Sequence, residues 1–205
     1  MTLRLPFTTP EHLPPAAAAV REVRAAHGVV ALPTETYYGL AVDPGDVEAV
    51  ARVFAVKGRG AGKALLVVAA SLEQLEALVV VPGRLRPLLT AVWPAPLTVV
   101  LPLRRALAAS EGTLAVRVPD HPLLCALLAR VGPLTATSAN RSGSAPAATA
   151  DAVERDLGGG VDLLLDGGAT PGGLPSTLLD ASGDELRLLR RGGWEPPAGW
   201  HVKAG

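Results

Sequence analysis

The chain has 205 residues, of which 49% are hydrophobic and 19% are charged, so it carries ample apolar material for a buried core and is unlike a disordered chain. Its 19 basic and 19 acidic residues give a formal net charge of zero, which excludes an overall field that would attract nucleic acid or an anionic membrane. Three prolines interrupt residues 88–103, the best candidate for a membrane span, and the N-terminus lacks the features of a signal peptide. We therefore expect a cytoplasmic protein, and its single cysteine, Cys125, agrees with a reducing compartment.

Helical and strand patterns alternate along the chain, and Asp46 and Ser71 are expected to cap two of the helices. The apolar spacing predicts helices over residues 14–26, 46–57, 71–79, 84–92, 121–131 and 149–157. Apolar or β-branched runs predict strands over residues 29–32, 64–69, 97–103, 113–118, 134–138, 161–165, 176–180 and 186–190. This order predicts a single α/β domain with a largely buried mixed sheet, helices on its faces and a frayed tail after Gly192.

A basic glycine loop follows the second predicted helix, with Lys57, Arg59 and Lys63 among three glycines. A phosphate-binding P-loop would need glycine at position 57 and Ser or Thr at position 64, and the sequence has Lys57 and Ala64 there. The three cations could still close on a polyphosphate, since few side chains shield the backbone N–H groups. A solvated glycine turn with incidental charges is the other interpretation.

Three further groups of polar residues occur near the ends of predicted strands. Residues 135–143 carry hydroxyl and amide side chains that could bind a nucleotide or an amino acid, or simply form a turn. Arg117 is the one charge in an apolar run, so its guanidinium must face Glu35, another carboxylate or a ligand anion. Ser176 and Arg190 lie near two later strands, and the four histidines are too scattered to indicate histidine catalysis.

Seven short motifs in this chain follow the order of one known family. They are P-T-E-T-x-Y-G-L from Pro33, K-x-R from Lys57, W-P-x-P-L-T from Trp93, T-x-x-x-R-x-P from Thr113, S-A-N-x-S-G from Ser138, S-T from Ser176 and L-R-x-G from Leu189. Together they resemble the YrdC-like family, the threonylcarbamoyl-AMP synthases of tRNA modification, over about residues 15–193. The resemblance implies one YrdC-like domain over residues 1–205, in the short form without an extra C-terminal domain. It also implies a twisted, mostly open mixed sheet with flanking helices and a concave positive cleft.

The family resemblance implies ATP-dependent condensation of L-threonine with bicarbonate to threonylcarbamoyl-adenylate, with pyrophosphate released and Mg²⁺ assisting. The product would pass to a tRNA-modifying transferase complex that acts at tRNA position 37, and contact with tRNA or double-stranded RNA would also fit. By motif position, threonine would be held by Thr36, Arg117 and Ser176. ATP would be held by Arg59, Lys63, Thr113, Ser138, Asn140 and Arg190.

No dedicated catalytic residue is expected, because attack on the α-phosphate needs positioning and charge neutralisation, here from Lys57 and Arg59. No metal held by protein side chains is expected either. Four positions depart from the family pattern, namely Gly60, Ala64, Val68 and Pro146. They leave open a relative that uses another carbamoyl or acyl substrate, or that has lost activity. A double-stranded RNA-binding module of translation is the third interpretation, although aromatic residues for base stacking make up only 3% of the chain.

Overall fold

The structure is a computed structural model that describes residues 1–58, 65–197 and 199–204. Within these ranges the α-helices are Leu13–Ala25 (α1), Val47–Lys57 (α2), Leu72–Glu76 (α3), Arg86–Val92 (α4), Pro122–Val131 (α5) and Ala150–Leu157 (α6). Short 3-10 turns occupy Pro10–His12 and Gly158–Gly160. All six helices were predicted, with ends that differ by a few residues.

The described strands form two mixed sheets. The first has the order Leu3–Pro6 (β1), Leu163–Asp166 (β9), Val30–Leu32 (β2), Gly39–Ala41 (β3) and Thr137–Ser138 (β8). The second has the order Val202–Ala204 (β12), Leu186–Arg190 (β11), Thr177–Asp180 (β10), Leu97–Pro102 (β5), Thr113–Arg117 (β6), Val67–Val68 (β4) and Leu134–Thr135 (β7).

The first sheet is covered by helices on both faces, as the continuous apolar run of β2 predicts. Val30 and Leu32 pack in one apolar cluster with residues of α1 and α5. Ala31, which points to the opposite face, packs in a second cluster with residues of α2 and α6. A third cluster packs α3 and α4 against β5 and β6 of the second sheet. The α/β class with a mixed, buried sheet and flanking helices is therefore confirmed.

Residues 134–138 were predicted to form one strand, but they form two short strands that belong to different sheets. β7 pairs with β4, and β8 pairs with β3. Between them the Ala136 N–H donates to the Leu66 carbonyl at 2.8 Å, while Thr135 exchanges hydrogen bonds with Val42. The segment thus crosses from one sheet to the other, and this crossing joins the two layers of the fold.

Three strands were missed because each is only three or four residues long, which is too short for a clear strand pattern in the sequence. β1 pairs in parallel with β9, and β3 continues the loop after β2 in antiparallel pairing. The tail after Gly192 is not frayed as expected, because β12 pairs with β11 and the Trp194 and Trp200 rings meet edge to face at 5.2 Å.

Both predicted N-caps are confirmed. The Asp46 carboxylate accepts hydrogen bonds from the Glu48 and Ala49 N–H groups at 3.0 and 3.1 Å, and the Ser71 hydroxyl accepts one from the Gln74 N–H at 3.4 Å. Among the described helices, none is long and apolar enough to cross a membrane.

Asp46 also binds the imidazole of His27, with 2.6 Å between Oδ2 and Nδ1. This hydrogen bond, together with the negative charge of Asp46, raises the pKa of His27. A raised pKa means that the bond stabilises the fold fully below the ordinary histidine pKa of about 6.5 and that this stabilisation is lost as the pH rises through the folded value.

We predict that the melting temperature lost in His27→Asn is larger near pH 5.5 than near pH 9, because only the protonated imidazole carries the charge that attracts Asp46. Asparagine tolerates the positive φ of 53° at this position, so backbone strain is not introduced. Thermal unfolding of both proteins at about these two pH values measures the difference. An equal loss at both pH values would contradict the prediction.

Candidate functional site

A cavity of about 620 Å³ has walls from both sheets. Its polar wall residues include Thr36, Thr98, Arg117, Ser138, Ser176 and Arg190. Five of these six were predicted as site residues, and each of the five comes from a different motif of the chain. The fold therefore brings the residues expected for threonine to the same cavity as two of those expected for ATP.

Arg117, at the end of β6, is buried to 5% side-chain exposure, and its Nη1 lies 2.9 Å from Glu35 Oε1. Arg117 Nε and both Glu35 oxygens have no hydrogen-bond partner among the described residues. The contact between the two side chains is therefore an ion pair without hydrogen-bond geometry. Burial lowers the pKa of Arg117, the Glu35 carboxylate opposes this change, and the nearby Arg190 guanidinium adds to it. Arg117 is thus an ion-paired cation that lines the cavity, and its buried Nε–H has no acceptor among the described residues.

The loop that carries Glu35 and Thr36 is held by its own side chains. Pro33 follows β2 and lacks the N–H that would extend the strand pairing. The Thr34 hydroxyl then donates to the Tyr37 carbonyl at 2.7 Å and accepts from the Thr36 N–H at 3.2 Å. This hydroxyl-closed turn places Thr36 on the cavity wall and Glu35 beside Arg117.

The Gly/Pro-rich segment 167–175 supplies cavity residues that the sequence did not reveal. Gly172 donates its N–H to the Thr36 carbonyl at 2.8 Å, and the Gly173 carbonyl accepts from the Tyr37 hydroxyl at 3.1 Å. Both glycines have positive φ values, 70° and 89°, which a side chain would disfavour. Tyr37 and Gly173 both line the cavity. The sequence offers one signal for this contact, which is that its two tyrosines, Tyr37 and Tyr38, are adjacent.

Ser176 follows this segment and is buried, whereas Arg190 on β11 is an exposed residue. Arg190 Nη2 donates to the Ser176 carbonyl at 2.9 Å and reaches its hydroxyl at 3.4 Å. The Ser176 hydroxyl also lies 2.8 Å from that of Thr98. Arg190 therefore binds the main chain of Ser176, which was predicted to bind substrate threonine, although the motif position of Arg190 predicts a role in ATP binding.

Lys57, Ser138 and Asn140 form a second predicted group next to the cavity. The buried Lys57 ammonium donates to the carbonyls of Ser138 and Asn140, the latter at 3.1 Å. Ser138 lines the cavity, whereas Asn140 lines an adjoining hollow of about 430 Å³ together with Arg141. The Asn140 amide donates to the carbonyl of Ser144 at 2.6 Å, which holds the turn of the S-A-N-x-S-G motif.

The remaining predicted residues lie elsewhere. Thr113 begins β6, four residues before Arg117, and is not among the residues that line the cavity. Arg59 and Lys63 lie outside the described residues, as do the departures Gly60 and Ala64. Of the other two departures, Val68 is buried in the core beside Arg117 on β6, and Pro146 lines the cavity.

Comparisons with known proteins agree with the motif order. The family model described as "Telomere recombination", that of the Sua5, YciO and YrdC proteins, matches residues 22–192. The threonylcarbamoyl-AMP synthase of Bacillus subtilis is 40% identical over 185 residues, which cover 87% of this chain and 52% of that protein. The threonylcarbamoyl-AMP synthase of Chromohalobacter salexigens is 40% identical over 186 residues, which cover 87% of this chain and 98% of that protein.

The fold agrees with a solved structure as well. The crystal structure of Pyrococcus abyssi Sua5 complexed with L-threonine matches with a TM-score of 0.83 and 36% identity, covering 94% of this chain and 58% of that one. The chain spans about half the length of the B. subtilis and P. abyssi relatives and nearly all of the C. salexigens relative.

We predict that Glu35→Gln destabilises the fold by about 3–5 kcal/mol, because it leaves the buried Arg117 guanidinium without a counter-charge. Urea unfolding followed by circular dichroism measures this loss. Glu185→Gln is the matched control, since Glu185 forms an exposed ion pair with Lys203 and should change the urea midpoint little. Similar midpoints for the two variants would show that Arg117 does not depend on Glu35.

Proposed function

Because the chain belongs to the Sua5, YciO and YrdC family, we propose that it synthesises threonylcarbamoyl-adenylate from L-threonine, bicarbonate and ATP, with release of pyrophosphate. Relatives of about twice its length and of about its own length are both named threonylcarbamoyl-AMP synthase. The single observation that carries the proposal is a cavity that gathers five of the residues expected from the motifs, Arg117 among them.

The threonine end of the cavity is assigned to Arg117, Thr36 and Ser176. A carboxylate is an acceptor-only group, so it can pair with the guanidinium of Arg117, which lines the cavity. Thr36 and Ser176 line the same cavity, so their hydroxyls can bind the remaining polar atoms of the amino acid. The structure of a relative with L-threonine supports this choice of substrate.

The ATP end is assigned to Lys57, Arg59, Lys63, Thr113, Ser138, Asn140 and Arg190. Lys57, Ser138 and Asn140 are already held together by hydrogen bonds, and Arg190 adds a cation at the cavity. The assignment of Arg59 and Lys63 rests on their motif positions in the basic glycine loop. Together these residues concentrate positive charge where a triphosphate carries its negative charge.

The reaction joins three molecules through two new bonds. The threonine nitrogen bonds to the carbon of bicarbonate with loss of water, and an oxygen of the resulting carboxylated amine bonds to the α-phosphorus. The bond from the α-phosphorus to the bridging oxygen breaks, and pyrophosphate leaves with its electron pair. This chemistry needs orientation of the reactants and neutralisation of phosphate charge more than a protein nucleophile, which fits a cavity of hydroxyls and cations.

Mg²⁺ would enter this site with ATP rather than in a protein cage. Across the described ranges, no cluster of three or more His, Cys, Asp or Glu side chains could hold a metal ion. Mg²⁺ is commonly held through substrate phosphates with few protein ligands, so the described residues suit a cation that the triphosphate carries.

We also propose that residues 1–205 form one YrdC-like domain, with its core at about residues 15–193. The product is an activated carbamoyl donor, so a transferase that modifies tRNA position 37 would consume it. We likewise propose a cytoplasmic location, where such a transferase would receive the product.

We predict that pyrophosphate release requires L-threonine and bicarbonate together, because the cavity has to bind the amino acid before the carboxylated amine can form. A coupled pyrophosphate assay with ATP and Mg²⁺, omitting each substrate in turn, measures this requirement. Equal release without threonine would contradict the proposed substrate and favour a relative with another carbamoyl or acyl substrate. No release, with retention of double-stranded RNA in a filter assay, would favour the RNA-binding interpretation.

We predict that Arg117→Lys raises the KM for threonine about tenfold or more with little change in the KM for ATP. Lysine keeps the charge opposite Glu35 but loses the planar set of donors that can bind a carboxylate bidentately. Steady-state kinetics with each substrate varied in turn measure the split. Arg86→Lys is the control, because Arg86 forms an exposed ion pair with Glu76. An unaltered threonine KM in Arg117→Lys would reject the carboxylate role.

A further inference from the structure

The segment Trp93–Thr98 carries one of the family motifs, yet the proposed chemistry gives it no role. In the structure its backbone is held on both sides. The Ala95 N–H donates to the Val118 carbonyl at 3.1 Å, and the Pro96 carbonyl accepts from the Thr177 N–H at 2.9 Å. Trp93 closes the segment on itself, because its indole N–H donates to the Leu97 carbonyl at 2.8 Å. The first residues of β5 are therefore fixed between β6 and β10.

This anchoring sets the position of Thr98 relative to Ser176. β5 and β10 run parallel with Thr98 paired to Leu178, so Thr98 lies level with the start of β10. The Thr98 and Ser176 hydroxyl oxygens are 2.8 Å apart. The two residues are 2% and 4% exposed, and both line the cavity. The pair is thus a buried hydroxyl contact that faces the candidate threonine site.

We propose that Thr98 is a positioning residue that orients the Ser176 hydroxyl toward bound threonine. This inference rests on the proposed function for the identity of the ligand. Two hydroxyl groups carry two protons, and the single contact between them uses one. Among the described residues neither hydroxyl has another acceptor, so one proton of the pair remains for the cavity. A threonine carboxylate or hydroxyl can accept it.

Arg190 does not replace Thr98 in this role. Its guanidinium can only donate, and its short contact, at 2.9 Å, goes to the Ser176 carbonyl. Its contact with the Ser176 hydroxyl is 3.4 Å long, and Arg190 is itself exposed. Arg190 therefore fixes the main chain of Ser176, whereas Thr98 selects the rotamer of its side chain.

The test is calorimetric binding of L-threonine to the purified full chain and to five variants. Thr98→Val removes the hydroxyl with almost no change of shape and should weaken threonine binding about three- to tenfold. Thr98→Ser keeps the hydroxyl and should bind threonine within about twofold of the unaltered chain. Ser176→Ala should weaken binding, and Thr98→Val combined with Ser176→Ala should weaken it no further, because Thr98 acts through Ser176.

Thr177→Val is the matched control, since Thr177 is another buried threonine, on the neighbouring strand, and its hydroxyl bonds the Trp194 carbonyl. It should lower the melting temperature and leave threonine affinity unchanged. Threonine affinity in Thr98→Val equal to that of the unaltered chain, or a loss that adds to that of Ser176→Ala, would overturn the proposal. Failure of the unaltered chain to bind threonine would also overturn the proposal. A chain that binds threonine with the expected variant pattern but releases no pyrophosphate supports the role of Thr98 and contradicts the proposed synthesis.

Discussion

A buried guanidinium links the two sheets of this protein. Arg117 ends a strand of the second sheet, and Glu35, its counter-charge, sits in the loop that follows β2 of the first. An unpaired charge at this depth would be strongly unfavourable, so the loop has to deliver its carboxylate to β6. The turn closed by the Thr34 hydroxyl meets this requirement, and it also places Thr36 on the cavity wall. One turn therefore supplies both the counter-charge that joins the two sheets and a residue of the site.

The crossing at residues 134–138 has a related effect. A single long strand would have kept one sheet continuous, but the bend at Ala136 transfers the chain from β4 to β3. The hydroxyls of Thr137 and Ser138 then lie where the sheets part, and both residues line the cavity. Small side chains suit this position, because they provide hydrogen-bonding groups and leave room for a ligand.

Local patterns in the sequence were sufficient to predict the helices. They were not sufficient to predict contacts between residues that are far apart in the chain. Asp46 and Ser71 cap their helices through N–H groups two or three residues away, so the signal lies within one turn. The short strands β1 and β12 depend on partners far along the chain or on tryptophan packing, which no local pattern carries. The same distinction applies to the site. Arg117 is the one charge in an apolar run, which indicated that it needed a partner. The structure identifies that partner as Glu35. Thr98 and Ser176 are 78 residues apart, and the parallel register of β5 and β10 brings their hydroxyls together.

The zero net charge of the chain is compatible with a cavity for anions because of how its cations are partnered. Arg4, Arg52 and Arg86 each face carboxylates on the surface, where the two charges cancel locally. Arg190 instead donates to the Ser176 carbonyl. A carbonyl is a dipole without net charge, so it orients a cation without neutralising it. Among the described residues Arg190 forms no salt bridge, so its charge at the cavity wall is oriented by the main chain and is not cancelled by a carboxylate. A sequence with zero net charge can in this way place an uncancelled cation beside a cavity.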